Sequence, residues 1–348
     1  MKTITIGLDI AKNVFQVHGV DASGEVILGR RLRRGQVEGF FAKFLPAVIG
    51  IEACGSAHHW GRVLCSLGHD VKLMPPAYVK PYVRRNKTDG RDAEAICEAV
   101  GRPTMRFVPI KSVDAQAINA LHKARHLLVR QRSMLANAFR AMLAEFGIVA
   151  RQGMKGLAEL MAALPGAPIP EPAQVAAAAL ARQWKMLDGE ISALEKRILR
   201  TAKENEAARR LMEIPGIGPI SASAIVAAVP DPHVFRSARS FAAWLGLTPR
   251  QNSSGEKQRS GGISKQGNRS LRQLLVLGAT SYVQAAAPRG KQGQELAPAA
   301  VRDPWIASLL GRRPRKVVAV AQAAKAARTA WALLVKGERY RTPAAVLA

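Results

Sequence analysis

Residues 3–32 read TITIGLDIAKNVFQVHGVDASGEVILGRRL, and this stretch decides the fold. Three β-rich runs, 3–10, 13–20 and 25–32, are separated by Ala11-Lys12 and by the turn Asp21-Ala22-Ser23-Gly24, which predicts a meander of three strands. Working outward, a polar helical stretch at about 36–44 leads to an apolar strand at 47–53 (AVIGIEA), a helix from about 57 to 67, and a strand at 70–74 (DVKLM). Strands followed by alternating helix and strand predict an α/β or α+β sheet domain that ends near residue 110.

Two long helical segments follow. In the first, Leu121, Ala124, Leu128, Leu135, Ala138 and Met142 lie on one face; in the second, Leu180, Trp184, Leu187, Ile191, Leu194 and Ile198 do. Stripes of this length predict an antiparallel hairpin or an intermolecular coiled coil, and the Pro-rich segment LPGAPIPEPA at 164–173 is the expected turn between them. From about 208 onward the chain reads as helix-rich, punctuated by glycine, and basic. The expected domains are therefore 1–110, 111–207 and 208–348.

The charge is extreme for a chain of 348 residues: 52 lysines and arginines against 25 aspartates and glutamates give a formal net charge of +27. That balance argues against a small-molecule enzyme and for a polyanionic partner. Residues 233–348 hold twenty basic side chains against Glu256, Glu295, Asp303 and Glu338 alone, so the densest phosphate contact is expected there. No apolar run reaches the roughly 18 residues that a membrane span needs, and the N-terminus reads as a strand and not a signal peptide. A cytoplasmic protein with no membrane partner is expected. Cys54, Cys65 and Cys97 have no CxxC spacing and are expected to be reduced core residues.

Three constellations carry candidate chemistry. Asp9 lies in the first strand, with Gly7 two residues earlier on the same face, and Glu52 ends the strand VIGIE. A carboxylate in an apolar strand is costly to bury unless it is paired or bound to metal. Asp89 and Asp92 in KTDGRDAEAI share one helical face by their spacing of three. Taken singly, these acids have ordinary uses as caps, salt-bridge partners or first-turn helix charges. Brought together, four carboxylates repel one another unless a divalent cation sits among them, and oxygen-only ligation suits Mg²⁺ or Mn²⁺.

The second constellation is IPGIGPISASAIVAAV at 214–229, where Gly216 and Gly218 allow backbone N–H groups to approach a phosphate, or simply make a tight turn between packed helices. The third runs from Trp244 to Leu275, WLGLTPRQNSSGEKQRSGGISKQGNRSLRQLL. Here Arg250, Lys257, Arg259, Lys265, Arg269 and Arg272 alternate with Ser253, Ser254, Ser260, Ser264 and several glycines, ahead of a helix that starts near Ser270. Such a loop suits DNA phosphates, and a serine in it becomes a nucleophile only if a neighbouring base or metal eases loss of its proton. His58, His59, Trp60, Trp244 and Trp305 are read as packing residues.

Together GLDIAK, IEACGSAHHW, KTDGRDAEAI, IPGIGPISA and GLTPRQNSSGEKQRSGGISKQGNRSLRQLL resemble the transposases of the insertion sequence 110 family, in particular its 1111 subgroup. The resemblance implies an RNase H-like, RuvC-type N-terminal domain with an acidic tetrad, a coiled-coil dimerisation region and a mainly helical C-terminal transposase domain with a catalytic serine. Matched by motif, the tetrad is Asp9, Glu52, Asp89 and Asp92, and the serine of the S-G step falls on Ser254, with Ser253 and Ser260 as alternatives. It further implies a homo-oligomer, dimer or tetramer, that recombines donor and target DNA under the guidance of a bridge RNA. The alternative is a RuvC-like metal-dependent nuclease in which water attacks and the serine loop only binds.

Overall fold

The structure, a computed structural model, describes residues 4–83, 89–252, 259–287 and 303–341. It divides into two compact units, residues 1–114 and 115–348.

In the first unit, β1 (Thr5–Ile10), β2 (Val14–Val20) and β3 (Val26–Arg33) precede the short helix α1 (Val37–Phe41). Then come β4 (Val48–Glu52), α2 (Ala57–Ser66), β5 (Asp70–Met74), α3 (Pro76–Val79) and α4 (Asp89–Val100). The five strands form one sheet in the order β3-β2-β1-β4-β5. The meander pairs antiparallel, whereas β4 pairs parallel to β1 and β5 parallel to β4. The second meander turn closes as the sequence predicts: the Asp21 carboxylate accepts from the backbone N–H groups of Ser23 (2.8 Å) and Glu25 (3.1 Å), and Gly24 takes φ 87°, a value that suits glycine.

Alternation along the strands gives the sheet two unlike faces. Ile6, Leu8, Ile49, Ile51, Val71 and Leu73 point to one face and are buried with Phe15, Val17, Trp60 and Leu64 beneath α2. Burying each such side chain contributes roughly 1.5–3 kcal/mol, so this layer is the main apolar support of the unit. The opposite face carries Gly7, Gly50 and Met74 and is covered by α4, whose Ile96 and Val100 pack there.

The second unit is almost wholly helical. It contains α5 (Val113–Ala144), α6 (Met154–Ala163), α7 (Glu171–Glu204), α8 (Glu206–Met212), α9 (Pro219–Ala228) and α10 (Ala238–Trp244). A two-stranded hairpin, β6 (Pro249–Gln251) and β7 (Ser260–Ile263), leads into α11 (Arg269–Ala286), α12 (Pro304–Leu310) and α13 (Arg315–Lys336). The helices α5 and α7 run antiparallel, since Arg125 pairs with Glu195 (2.5 Å) and Arg132, seven residues later, pairs with Asp188, seven residues earlier.

The sequence places a single Pro-rich turn between the two long helices, but α6 intervenes before it. Leu157 and Leu160 of that helix, with Leu164 just beyond it, are buried with Phe139 and Trp184, and this apolar spacing is sufficient to form one more helix. A second difference concerns the cysteines: Cys97 is buried, but Cys54 and Cys65 are exposed, and all three are free thiols. Cys54 follows the end of β4 and Cys65 lies on the outer side of α2, so neither reaches the core. Among the described residues, no helix is long and apolar enough to cross a membrane.

Candidate active site

Asp9 and Glu52 occupy equivalent places on neighbouring parallel strands. The pairing of β1 with β4 runs Gly7 to Gly50 and Leu8 to Ile51, so one further step brings Asp9 alongside Glu52. Both acids therefore lie on the face that bears the two glycines. This face accepts α4 because the glycines have no side chain. A Cβ added at Gly7 would lie 2.0 Å from the Ala93 carbonyl oxygen and 2.4 Å from the Cys97 nitrogen, and one at Gly50 would lie 2.8 Å from the Val100 Cβ.

The close seating of α4 brings its first turn, with Asp89 and Asp92, to the end of β1. One carboxylate oxygen from each of Asp9, Asp89 and Asp92 lies within 4.8 Å of the others; Asp9 and Asp92 are half-buried and Asp89 is exposed. Glu52, half-buried at the end of the adjacent strand, stands outside this close group. The helix N-terminus favours negative charge in its first turn, which offsets part of the repulsion between Asp89 and Asp92. Three oxygens of this kind, all carboxylate and open to solvent on one side, suit a hard divalent cation such as Mg²⁺ or Mn²⁺, with coordination places left for water or phosphate.

Cys97, one turn from the C-terminal end of α4, seals the other end of this contact. Its Sγ lies 3.4 Å from the Thr5 carbonyl oxygen, and burial pushes its thiol pKa up, with Glu94 adding to the shift. An uncharged thiol packed against Gly7 behaves as a small apolar plug.

In the second unit, Gly216 and Gly218 lie in the turn between α8 and α9. Gly216 takes φ 89°, and its carbonyl oxygen occupies the place that a side chain at Gly278 would need (2.1 Å), so this glycine serves a close crossing against α11. Gly218 is exposed at the N-cap of α9. The β6–β7 hairpin closes with Asn252 N–H donating to the Arg259 carbonyl at 2.9 Å. Ser253, Ser254 and Lys257 fall outside the described residues. Ser260 is exposed at the start of β7.

Of the basic residues singled out around the hairpin, Arg250, Arg259, Lys265 and Arg269 are exposed. Lys265 takes φ 58°, the left-handed region that non-glycine residues rarely enter. Arg272 is half-buried and donates to the carbonyls of Leu245 (2.9 Å) and Gln266 (2.7 Å), which ties the base of the hairpin to α11. The role of Gly50 escaped the sequence reading. The signal was present, because Gly-x-Asp at residues 7–9 and Gly-x-Glu at residues 50–52 repeat one pattern on two strands.

Comparison with known proteins gives concordant results. A family model described as "Transposase IS116/IS110/IS902 family" matches residues 208–294, and a second, a transposase model of the DEDD type of the IS110 group, matches residues 6–148. The chain is 46% identical to a "probable family 20 transposase" of Pseudomonas aeruginosa over 98% of this chain and 99% of that protein. It is 38% identical to the transposase for insertion sequence element IS1111A of Coxiella burnetii, over 98% of this chain and 92% of that one. It is also 38% identical to the transposase for insertion sequence element IS1328 of Yersinia enterocolitica, over 95% and 97% of the two chains.

Proposed function

Because the chain belongs to the IS116/IS110/IS902 family of transposases, we propose that its acidic cluster is the centre at which DNA strands are cut during transposition. The observation that carries this reading is the convergence of Asp9, Asp89 and Asp92 within 4.8 Å at the end of an RNase H-like sheet, with Glu52 on the adjacent strand. Asp9, Asp89 and Asp92 would hold Mg²⁺ or Mn²⁺, and Glu52 would complete the tetrad when substrate enters. Such an ion supplies charge stabilisation for the attacking and leaving oxygens of a phosphodiester.

The chain's own contribution is positional. The carboxylates of β1 and α4 are fixed by a helix–sheet contact of backbone closeness, so little reorganisation accompanies entry of a phosphate. Their joint negative charge also excludes a phosphate in the absence of a counter-ion, which makes cleavage dependent on the cation. In its simplest form the reading is RuvC-like, with water as the nucleophile.

The hairpin favours a second form. The sequence between its two strands is basic and hydroxyl-rich, with Ser253, Ser254 and Lys257, and Arg272 braces the base. In this form Ser254 attacks the scissile phosphorus, its proton passes to a base, the 3′ or 5′ oxygen leaves, and a phosphoserine link is held until strand exchange. Guidance by a bridge RNA and assembly as a dimer or tetramer through the α5–α7 hairpin belong to the same proposal, and the net charge of +27 suits two nucleic acids.

One assay tests the readings together. The full chain is incubated with a supercoiled plasmid carrying its element ends, with Mg²⁺ or with EDTA. Asp92→Asn is expected to lower strand cleavage at least about a hundredfold while leaving DNA binding in EDTA within about twofold, as removal of a transition-state charge stabiliser does. Unchanged cleavage by Asp92→Asn would remove the cluster from the chemistry. Denaturing electrophoresis of the same reactions separates the two forms: a protein–DNA adduct lost in Ser254→Ala supports the serine, and cleavage without an adduct supports water.

A further inference from the structure

The sheet register extends the acidic site sideways. Asp9 pairs with Gln16 across β1 and β2, and Gln16 pairs with Arg31 across β2 and β3. Residues paired in register share a face, so Glu52, Asp9, Gln16 and Arg31 form one row on the α4 side of the sheet. The row behind it reads Gly50, Gly7, His18 and Gly29. Helix α4 packs across β1, β2 and β4; on β3, the next strand out, Arg31 and Arg33 are exposed. A Cβ placed at Gly29 would meet nothing within 4 Å, so the floor behind Arg31 is open. Among the described residues, neither Arg31 nor Arg33 forms an ion pair.

Alternation supplies an internal comparison. Arg30 pairs with Val17, which belongs to the buried α2 face, and its guanidinium sits 5.6 Å from the centre of the Phe40 ring. Two adjacent arginines on one strand thus point to opposite sides, one stacked on an aromatic ring and one in line with the acids.

We propose that Arg31, with Gln16 beside it and Arg33 on the same face, is a positioning strip that holds the backbone phosphates of the DNA strand whose scissile phosphate enters the acidic cluster. The inference rests on the proposed function for the identity of that strand. Two strand spacings of about 4.8 Å separate the Cα atoms of Asp9 and Arg31, about 10 Å in all, which corresponds to about three nucleotides of rise along one strand of duplex DNA. Arg31 offers a planar fork of donors to a phosphate, and the Gln16 amide lies between that fork and the carboxylates, a neutral donor where a second cation would compete for the acids. The cationic strip attracts the strand that the acids alone would repel.

The test is equilibrium binding of fluorescein-labelled 30-mer duplexes, DNA and RNA of one sequence, to the full chain in EDTA across a salt series. Arg31→Ala is expected to weaken DNA binding about tenfold and to lower the slope of log affinity against log salt by about 0.9, the loss of one phosphate contact. Arg30→Ala is expected to leave slope and affinity within error. With Mg²⁺ added, Arg31→Ala should raise the DNA concentration for half-maximal cleavage more than it lowers the maximal rate. An unchanged slope in Arg31→Ala, an equal change in Arg30→Ala, or a loss confined to the RNA duplex would each overturn the proposal. Both arginines are solvent-facing, and equal melting temperatures verify that the variants fold. Because binding is read without metal, a chain whose acids did no cleavage would still report on Arg31, and the two claims fail separately.

Discussion

Gly7 and Gly50 do for this site what no charged residue does: they let a helix backbone lie directly on the sheet, which is why the first turn of α4 reaches Asp9. A side chain at Gly7 meets backbone atoms of Ala93 and Cys97 that cannot rotate away, so the helix itself must move. Gly7→Val is expected to cost about 1–3 kcal/mol of stability, the usual range for overpacking, and to separate the carboxylates. Thermal melts with and without Mn²⁺ check this: the variant should melt lower and lose the metal-dependent rise in melting temperature. An unaltered metal response would show that the helix seating does not set the site. The acids themselves were legible in the sequence, because charge within an apolar strand and a D-x-x-D spacing carry a physical cost or a shared face. The glycine at residue 50 was equally visible but carried no such cost, and its use emerges only when the parallel register sets it beside residue 7.

Among the elements, periodicity gave the five sheet strands and the two long helices, but not α6, the β6–β7 hairpin or which faces meet. The stripe on α5 predicts a face through Leu121, Leu128, Leu135 and Met142, whereas the buried residues are Ala136, Phe139 and Leu143, one position on, with Ala124 and Ala138 exposed. The buried face is set by what the helix meets, here α6 and α7, and α6 was hidden behind the Pro-rich segment that follows it. The α7 stripe holds better, with Trp184, Ile191 and Ile198 buried. A polar contact escaped the pattern entirely. His122 of α5 places Nε2 at 3.0 Å from Oγ of the buried Ser223 on α9, and burial, aided by the Arg125 charge, lowers the histidine to a pKa of about 4. The ring is therefore neutral in the folded chain and takes a proton more readily when unfolded. A depressed folded pKa means that the unfolded chain binds more protons between the ordinary histidine value of about 6.5 and about 4, so stability falls as pH drops through that window and is unaffected above it. Denaturant midpoints measured from pH 7.5 to 4 should decline for the parent chain, and the decline should be shallower in His122→Gln. Parallel pH profiles would assign the sensitivity elsewhere.

At the scale of the whole molecule, a net charge of +27 and a site made of carboxylates stand in tension, which a cation bound as proposed would resolve. Under the proposed function the basic surplus would draw nucleic acid to the chain over distances set by ionic strength, while the acids would admit a phosphate only once their charge is balanced. Composition pointed to a polyanionic partner, and motif spacing singled out Asp9, Asp89 and Asp92, which the fold brings together. Neither foretold the sheet row that joins Asp9 to Arg31, because register across three strands is a property of the folded chain alone. The proposed chemistry requires the acids to act as one cation-binding centre. Titration of Mn²⁺ into the full chain, read by the electron paramagnetic resonance signal of the free ion, tests this most directly. Saturable binding is expected in the parent chain, with an affinity at least about tenfold weaker in both Asp9→Asn and Asp92→Asn. Equal Mn²⁺ binding by the parent and both variants would contradict it.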